Sequence, residues 1–382
     1  MRALIVDQCG NRAALPAARA LESDGWTVGV GSARAQQLAG QSRAVSRAHR
    51  LPPASTGGAA LLSAVNRAIA ECGYEVVFSL DDVGVLALSA HRDELDAVFP
   101  YGEHRGLERA FDKLELMREA HRAGLTVPRT ELAGELELES FGDARPVVVK
   151  PRLTFLPGVD GHVRATVVSS STTAREKVQA MREAGAEPIL QEHLQGQLMA
   201  FTALTDRDAQ IVARVQQVSD RIWPLDVGIS ACAHTVAVDE RLAASAARLL
   251  EALGWFGLAQ LQFIRGRDGT ARLLDFNGRF YGSLALALAA GVNLPAIWGR
   301  MAAGRPIVEP APEARVGVRY QWLGGDLRAS CAGASGFARV RGVLGSILHA
   351  PGSTHSIWRM TDPWPAIAIL RTRISAWLLR RA

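Results

Sequence analysis

The sequence has only four cysteines, and they lie far apart, at Cys9, Cys72, Cys232 and Cys331. They form neither a CxxC pair nor a Cys/His cluster, which excludes a cysteine-based zinc site and a disulfide framework. Long apolar runs are missing as well: no stretch approaches the run of about 20 apolar residues that a membrane-spanning helix needs. The start of the chain does not resemble a signal peptide. We therefore expect a cytoplasmic protein without a transmembrane segment.

Lysine is scarce. Of 43 basic residues only three are lysines, namely Lys113, Lys150 and Lys177. The arginines are spread along the chain without a long basic run or interleaved aromatic residues, so the net charge of +5 does not indicate nucleic-acid binding. In so arginine-rich a chain, a retained lysine reflects either chance or a site that needs a compact ammonium group.

The N-terminal part of the chain alternates apolar strand-like runs with helical patterns. Strands are predicted at residues 3–7, 26–31, 74–80 and 97–101, and helices at 11–23, 58–72 and 82–90. This alternation predicts a small parallel α/β sheet. The pattern then changes to a mixture typical of α+β structure. It predicts a helix from Gly106 to Gly124, strands at 146–151 and 188–194, a helix at 239–254 and a β-hairpin at 258–277.

The hairpin carries the most informative polar residues. Its two β-runs flank the sequence GRDG, and Asp-Gly is a strong turn signal. If the turn holds two or four residues, Leu273 lies opposite Gln262, and Gln262, Asp275 and Asn277 share one face, while Leu274 and its apolar neighbours point into a core. Three oxygen-bearing side chains on one face suit Mg²⁺, which prefers few protein ligands together with phosphates and water. The alternative is a solvated sheet face, and a three-residue turn would separate the three side chains.

Three cations could accompany this polar face. Arg279 follows Asn277 by two residues and could neutralise charge on a transferring phosphoryl group, unless it is a surface arginine. Lys150 ends an apolar strand, where it either reaches water or holds phosphate oxygens in a cleft. Lys113 follows Asp112 at the beginning of a helical turn, where a solvated charge is the alternative.

In their order along the chain, these residues resemble the ATP-grasp superfamily. The matching pieces are DK before a helix, VVVKP, QEHLQG and LQF…LLDFNGR. The resemblance covers about residues 105–305 and implies that Lys113 and Lys150 bind nucleotide phosphates. It also implies adenine contacts at Gln191, Glu192 and Leu194. The fold it implies has four parts: an N-terminal parallel α/β (pre-ATP-grasp) domain at 1–104, two ATP-grasp subdomains at 105–195 and 196–305, and a C-terminal extension at 306–382.

The metal residues are similar to the variant in the carbamoyl-phosphate synthetase large chain, which implies metal roles for Gln262, Asp275 and Asn277. The family's Asn-Pro-Arg reads here as Asn277-Gly278-Arg279. Asp275 stands where a glutamate is usual, and Leu198 stands where an acid often binds the ribose. The phosphate loop at 156–162 retains Gly158 and Gly161, whose backbone allows close approach to phosphate.

The resemblance implies an ATP- and Mg²⁺-dependent enzyme, with Mn²⁺ as the alternative metal. It would phosphorylate a small carboxylic acid or amino acid to an acyl phosphate, which an amine then converts to an amide. Arg221 lies in a segment that folds over the nucleotide and the acceptor in that family, and it is expected to contact phosphate or carboxylate. The alternatives are another ATP-grasp phosphoryl transfer or carboxylation, and a catalytically degenerate nucleotide-binding protein. Homodimers are common in that family, and the sequence leaves the oligomeric state of this chain open. The basic C-terminal run at 364–382 either packs on its own domain or covers a membrane or subunit surface.

Overall fold

The computed structural model describes residues 1–34, 38–54, 57–134, 146–153, 165–307, 312–332 and 335–379. The helices are α1 Ala14–Ser23, α2 Gly58–Cys72, α3 Asp82–Ser89, α4 His104–Phe111, α5 Lys113–Arg122, α6 Ser171–Glu183, α7 Glu240–Ala252, α8 Leu284–Ala289, α9 Leu294–Ala302, α10 Leu323–Cys331, α11 Gly336–His349 and α12 Trp364–Leu379. The strands are β1 Arg2–Asp7, β2 Thr27–Ser32, β3 Arg47–Arg50, β4 Val76–Ser79, β5 Thr130–Leu132, β6 Val147–Pro151, β7 Thr166–Val168, β8 Pro188–Glu192, β9 Gln197–Thr205, β10 Ile211–Trp223, β11 Ile229–Val236, β12 Gly257–Arg265, β13 Ala271–Asn277, β14 Arg319–Gln321 and β15 Ser353–His355.

The N-terminal sheet is parallel, in the order β3-β2-β1-β4. Strands β1, β2 and β4 are buried almost throughout, because helices cover both faces of a parallel sheet. The parallel α/β prediction is thereby confirmed. The strand predicted at 97–101 is wrong: only Val98 makes a single bridge, to Val76, before the chain turns away.

A second sheet is antiparallel and has the order β5-β8-β6-β7. Helix α6 packs against it, and their apolar side chains form a small core of their own, which includes Val149, Val178 and Leu190. The sheet brings the end of β6 and the end of β8 into one structural unit.

The third sheet has seven strands in the order β13-β12-β9-β10-β11-β14-β15. Strands β14 and β15 come from the region predicted as a C-terminal extension, so this region completes the large sheet. Helix α12 contacts residues 39–41 of the N-terminal region. No helix among the described residues is long and apolar enough to cross a membrane.

The N-terminal sheet and the large sheet share one hydrophobic core. Trp298 lies fully buried where they meet, with ring centroids 4.9 Å from Phe78, 5.0 Å from Tyr101 and 5.2 Å from Phe280. Its indole Nε1 donates to the carbonyl oxygen of Pro100 at 2.9 Å. Aromatic pairs of this kind add about 0.5–1.5 kcal/mol each beyond their buried area. The carboxyl ends of the parallel strands are therefore held firmly beside the large sheet.

Candidate functional site

The β12–β13 hairpin brings the predicted polar residues together by a route that the sequence did not reveal. Five residues, Gly266 to Thr270, separate the two strands, rather than two or four. With this turn alone, Gln262 would lie opposite Leu274, and the shared polar face would be lost. The strands instead pair Phe263 with Leu273 and Gln262 with Asp275, so that Leu274 forms a β-bulge. The extra residue puts Asp275 directly across from Gln262, at the position where Leu273 was predicted.

The bulge also exchanges two leucines. Leu273 is fully buried in the main core, whereas Leu274 lines a cavity next to Asp275. The prediction that Leu274 points into the core, with Leu273 across from Gln262, is therefore wrong. The carbonyl oxygen of Leu274 accepts a hydrogen bond from Lys150 Nζ at 3.3 Å. A bulge leaves a residue without ladder partners, and here it frees a carbonyl for the lysine.

Gln260 belongs to the same polar face, although it was not predicted from the sequence. It pairs with Asn277 across the hairpin, and its Oε1 accepts from Gln262 Nε2 and from Asn277 Nδ2, both at 3.4 Å. The period of two residues from Gln262 was the available signal.

The two lysines at the site are buried, whereas Lys177 is exposed on α6. Lys113 and Lys150 each have only 7% of their surface exposed. Burial lowers the pKa of Lys150 to about 8; the Asp275 carboxylate opposes this effect, and the charge of Lys113 adds to it. Two neighbouring ammonium groups with one nearby carboxylate form an environment that attracts a polyanion.

A helix break turns Lys113 inward. The helix predicted from Gly106 to Gly124 is in fact two helices, separated at Asp112, whose extended backbone ends α4. The Asp112 side chain caps α5 by accepting from the backbone N–H groups of Leu114 and Glu115 at 3.0 and 3.2 Å. Lys113 is consequently the first residue of a new helix, and its direction is not fixed by the turns of α4.

A first cavity of about 260 Å³ lies between the second sheet and the large sheet. Both buried lysines, Gln262 and Asp275 line it, together with all three predicted adenine contacts, Gln191, Glu192 and Leu194. Gln191 is buried, and its Nε2 donates to Thr130 Oγ1 at 2.9 Å, whereas Glu192 is exposed. The predicted phosphate loop at 156–162 lies outside the described residues.

The walls of the first cavity combine apolar and charged groups in a way that fits a nucleotide. Apolar side chains from both sheets can enclose a flat ring, and the lysines and Asp275 lie at the hairpin; the apolar members include Val148, Leu194, Leu198, Ile222, Val227 and Leu274. Asp226 also lines the cavity and was not selected from the sequence. Leu198, at the position where an acid is usual, is an apolar part of the wall.

The donor set at the hairpin fits magnesium better than a transition metal. No cluster of three or more histidine, cysteine, aspartate or glutamate side chains that could hold a metal occurs in the part of the chain that the structure describes. What the hairpin offers is one carboxylate, Asp275, beside the amide groups of Gln262 and Asn277. Mg²⁺ is usually held by one or two carboxylates, with phosphates and water completing its coordination. Asp275, Gln262 and Asn277 would hold it.

A second cavity, of about 310 Å³, adjoins the first, and Gln262 and Leu198 belong to the walls of both. Asn277 and Arg279 line only this second cavity. Arg279 Nε pairs with Asp82 Oδ1 of α3 at 2.7 Å. Burial alone would lower the pKa of Arg279, but the carboxylates of Asp82, Asp81 and Asp275 outweigh it and raise the pKa. Arg279 therefore stays charged at the edge of the N-terminal sheet.

Arg221 is the one predicted site residue, among those the structure describes, that is not brought to either cavity. Its Nη1 donates to the Asp326 carboxylate, to Ser330 Oγ at 2.8 Å and to Ser346 Oγ at 3.2 Å. The cause is an irregularity in β10 after Ser219, where the pairing with β11 skips Asp220. The Arg221 side chain therefore does not lie on the same face of β10 as Gln217, which lines the second cavity. In this structure Arg221 contacts the Asp326 carboxylate, and its expected contact with the phosphate or carboxylate of a ligand stays a prediction.

Comparison with known proteins agrees with this architecture. The sequence model of a family described as "ATP-grasp in the biosynthetic pathway with Ter operon" matches residues 186–325. No curated protein matches the chain.

Solved structures match most of the chain. Biotin carboxylase from Campylobacter jejuni, solved as a β,γ-ATP complex, is 16% identical, with a TM-score of 0.62 over 83% of this chain and 74% of that one. L-amino acid ligase from Bacillus licheniformis is 17% identical, with a TM-score of 0.61 over 83% and 78%. N5-carboxyaminoimidazole ribonucleotide synthetase from Thermus thermophilus is 20% identical, with a TM-score of 0.61 over 82% and 81%. Because the sequence identities are this low, these matches show a shared fold and nothing finer.

Proposed function

We propose that this chain is a member of the ATP-grasp superfamily and that it acts as an ATP-dependent carboxylate–amine ligase, which forms an amide or peptide bond and releases ADP and phosphate. The main support for this proposal is the first cavity, where two of the three lysines in the chain are buried beside Asp275 and Gln262. Lysine is seldom found at buried positions, because burying an ammonium group is costly unless other groups compensate it.

In this proposal the nucleotide occupies the first cavity between the two antiparallel sheets. Lys113 and Lys150 pair with its phosphates, and binding keeps Lys150 protonated because the phosphate charge favours the ammonium form. Gln191, Glu192 and Leu194 lie at the end of β8 and contact the adenine. The apolar walls exclude water from the ring.

The metal is held at the hairpin by Asp275, with Gln262 and Asn277 as further ligands. When bound, Mg²⁺ supplies neutralisation of the triphosphate charge. The protein's contribution is the β-bulge at Leu274, which places Asp275 across from Gln262 and leaves the Leu274 carbonyl for Lys150. Phosphoryl transfer requires that the reactants are positioned and their charge neutralised, and it does not require a protein nucleophile.

The acceptor acid occupies the second cavity, which meets the first at Gln262 and Leu198. Its carboxylate attacks the terminal phosphoryl group to give an acyl phosphate. Arg279, charged and anchored by Asp82, lies where negative charge accumulates on the transferring group. An amine then displaces phosphate from the acyl carbon.

A second candidate is an ATP-dependent carboxylation. Two of the three similar structures named above are those of a biotin carboxylase and an N5-carboxyaminoimidazole ribonucleotide synthetase, and their TM-scores are as high as that of the amino acid ligase. In this case bicarbonate would be the acid in the second cavity.

Release of ADP and phosphate from Mg-ATP distinguishes these candidates. The protein is incubated with pools of carboxylic acids and amino acids, with pools of amines, with both, and with bicarbonate plus amines. Turnover that requires an acid and an amine together supports the ligase, and turnover that requires bicarbonate supports carboxylation. Nucleotide binding without turnover in every pool would contradict both and favour a degenerate nucleotide-binding protein.

A further inference from the structure

The second cavity is positively charged. Two guanidinium groups line it, those of Arg12 and Arg279, and no aspartate or glutamate occurs among the described residues of its wall. The remaining polar lining is neutral, including Gln217, Ser230 and Ser283. Arg279 already has a carboxylate partner in Asp82. Arg12 forms no ion pair with any acidic residue in the described ranges of the chain.

Arg12 is held in place by its loop and by an aromatic ring. It lies between β1 and α1, next to Asn11, whose Nδ2 donates to the Leu80 carbonyl oxygen at 3.0 Å. The Arg12 guanidinium lies over the ring of Trp322, with Cζ 3.6 Å from the ring centroid. A Cβ at Gly282 would lie 2.9 Å from Arg12 Nη2, so the glycine leaves room for the guanidinium. The side chain is therefore positioned before any ligand arrives.

The guanidinium of Arg12 is nevertheless only partly satisfied by the protein. Its Nη1 is buried and has no hydrogen-bond partner among the described residues. Burial lowers the pKa of Arg12. The interaction and hydrogen bond with the Tyr320 hydroxyl oppose this shift, but Tyr320 is a neutral phenol and supplies no negative charge. Buried hydrogen-bond donors in proteins are almost always paired, and leaving one unpaired lowers stability. Such a group is expected where a ligand supplies the partner.

We propose that Arg12 is the anion-binding residue of the second cavity, and that the cavity takes a small organic molecule carrying a carboxylate or a phosphate group. The planar guanidinium suits both groups, because its paired N–H donors match two oxygens at once. The location agrees with the general rule that ligands bind beyond the carboxyl ends of parallel strands, since Arg12 follows β1. Only the description of this molecule as the acceptor rests on the proposed function; the anion site itself does not.

The test measures thermal unfolding of the full chain with the first cavity saturated by Mg-ADP. Sodium acetate and sodium phosphate are compared with sodium chloride at equal ionic strength, and acetamide serves as the neutral analogue of acetate. The variants are Arg12→Met, which keeps an apolar stem on Trp322, and Arg267→Met, which removes an exposed arginine of the hairpin turn. We expect acetate or phosphate, but not acetamide, to stabilise the wild type and Arg267→Met, and the anion affinity of Arg12→Met to be about 10- to 100-fold weaker.

Stabilisation by acetate supports a carboxylate ligand, and stabilisation by phosphate alone supports a phosphate-bearing one. Equal anion shifts in the wild type and Arg12→Met, or no anion shift in the wild type, would overturn the proposal. If Arg12→Met does not fold, Arg12→Gln, which keeps a hydrogen-bond donor but no charge, provides the same comparison. The shift caused by Mg-ADP alone reports separately on the first cavity, so a failed nucleotide site and a failed anion site give different results.

Discussion

The Arg152 guanidinium pairs with the Asp112 carboxylate at 2.6 Å, and this ion pair joins the start of α5 to the end of β6. Asp112 directly precedes Lys113, and Arg152 follows Lys150 by two residues. The backbone N–H of Lys113 also donates to the Arg152 carbonyl oxygen at 3.1 Å. One local connection therefore fixes the relative position of the two lysines that line the first cavity.

Asp112→Ala tests this connection. The substitution removes a helix cap, which costs about 1 kcal/mol, and an ion pair worth about 1 kcal/mol or less. It also loosens Lys113, so we expect weaker binding of ADP together with a lower free energy of unfolding. Asp239→Ala is the matched control, because Asp239 caps α7 through the N–H groups of Arg241 and Leu242, away from the cavity. Equal ADP affinities in the two variants, by calorimetric titration, would contradict the positioning role.

Lys150→Met should weaken the binding of ADP and ATP by about 10- to 100-fold, the range expected for loss of a charged hydrogen bond. The methionine fills similar space, and removal of a buried ammonium group should not lower stability. Lys177→Met is the control, since Lys177 is exposed on α6. Calorimetric titration measures both affinities, and a similar loss in the two variants would argue for a general charge effect.

Nucleotide affinity should fall as the pH rises above about 8. The pKa of Lys150 is lowered to about 8 in the free protein, so the ammonium form predominates below this pH and is lost above it. Bound phosphate favours the charged form and raises the pKa, so binding above pH 8 requires proton uptake and weakens by up to about tenfold per pH unit. ADP titrations without metal at pH 7 to 9.5 measure this effect. Lys150→Arg stays charged and should flatten the profile; an unchanged slope in Lys150→Arg would assign the titration to another group.

The parts of this molecule that the sequence predicted are those governed by local periodicity. The continuous apolar runs of the N-terminal sheet indicate buried strands, because a strand that is buried on both faces is apolar throughout. Lys113 and Lys150 were identified because lysine is rare in this composition. Gln260 could have been found with the same period-two argument that selected Gln262.

Irregular backbone accounts for what the sequence did not predict. The bulge at Leu274 and the break at Asp112 each change the direction of every side chain that follows, and neither has a glycine or proline signal at its position. Their positions depend on tertiary contacts, such as the Arg152 ion pair with Asp112 and the hydrogen bond from Lys150 to Leu274. The prediction that Gln262 and Asp275 share a face assumed the wrong turn length. The two residues share a face because the bulge at Leu274 compensates for the five-residue turn.

Asp275→Asn should abolish turnover of Mg-ATP while leaving metal-free ADP binding nearly unchanged. The amide keeps the shape of the side chain but removes the only carboxylate of the proposed ligand set, and Mg²⁺ prefers charged oxygen ligands. Asp268→Asn is the control on the same hairpin, since Asp268 is exposed in the turn and pairs with Arg272. Phosphate release and ADP titration with and without Mg²⁺ measure the two properties. Wild-type turnover in Asp275→Asn would remove this residue from the metal site.

Arg221→Ala separates a structural role from the nucleotide contact expected from the sequence. Asp326 is fully buried, and Arg221 is the cation that faces it, with Gln321 Nε2 donating to its other carboxylate oxygen at 2.7 Å. Removal of the guanidinium leaves a buried carboxylate short of a partner, so the free energy of unfolding should drop by about 1–3 kcal/mol.

The affinity for ADP should stay at the wild-type value in Arg221→Ala, because Arg221 lines neither cavity. Arg214→Ala removes an arginine from the same strand, whose exposed ion pair with Glu240 is worth less than about 1 kcal/mol, and should change neither property much. Denaturant unfolding and ADP titration of both variants check these expectations. A loss of ADP affinity in Arg221→Ala at unchanged stability would restore the original prediction, and would mean that Arg221 leaves Asp326 when the nucleotide binds.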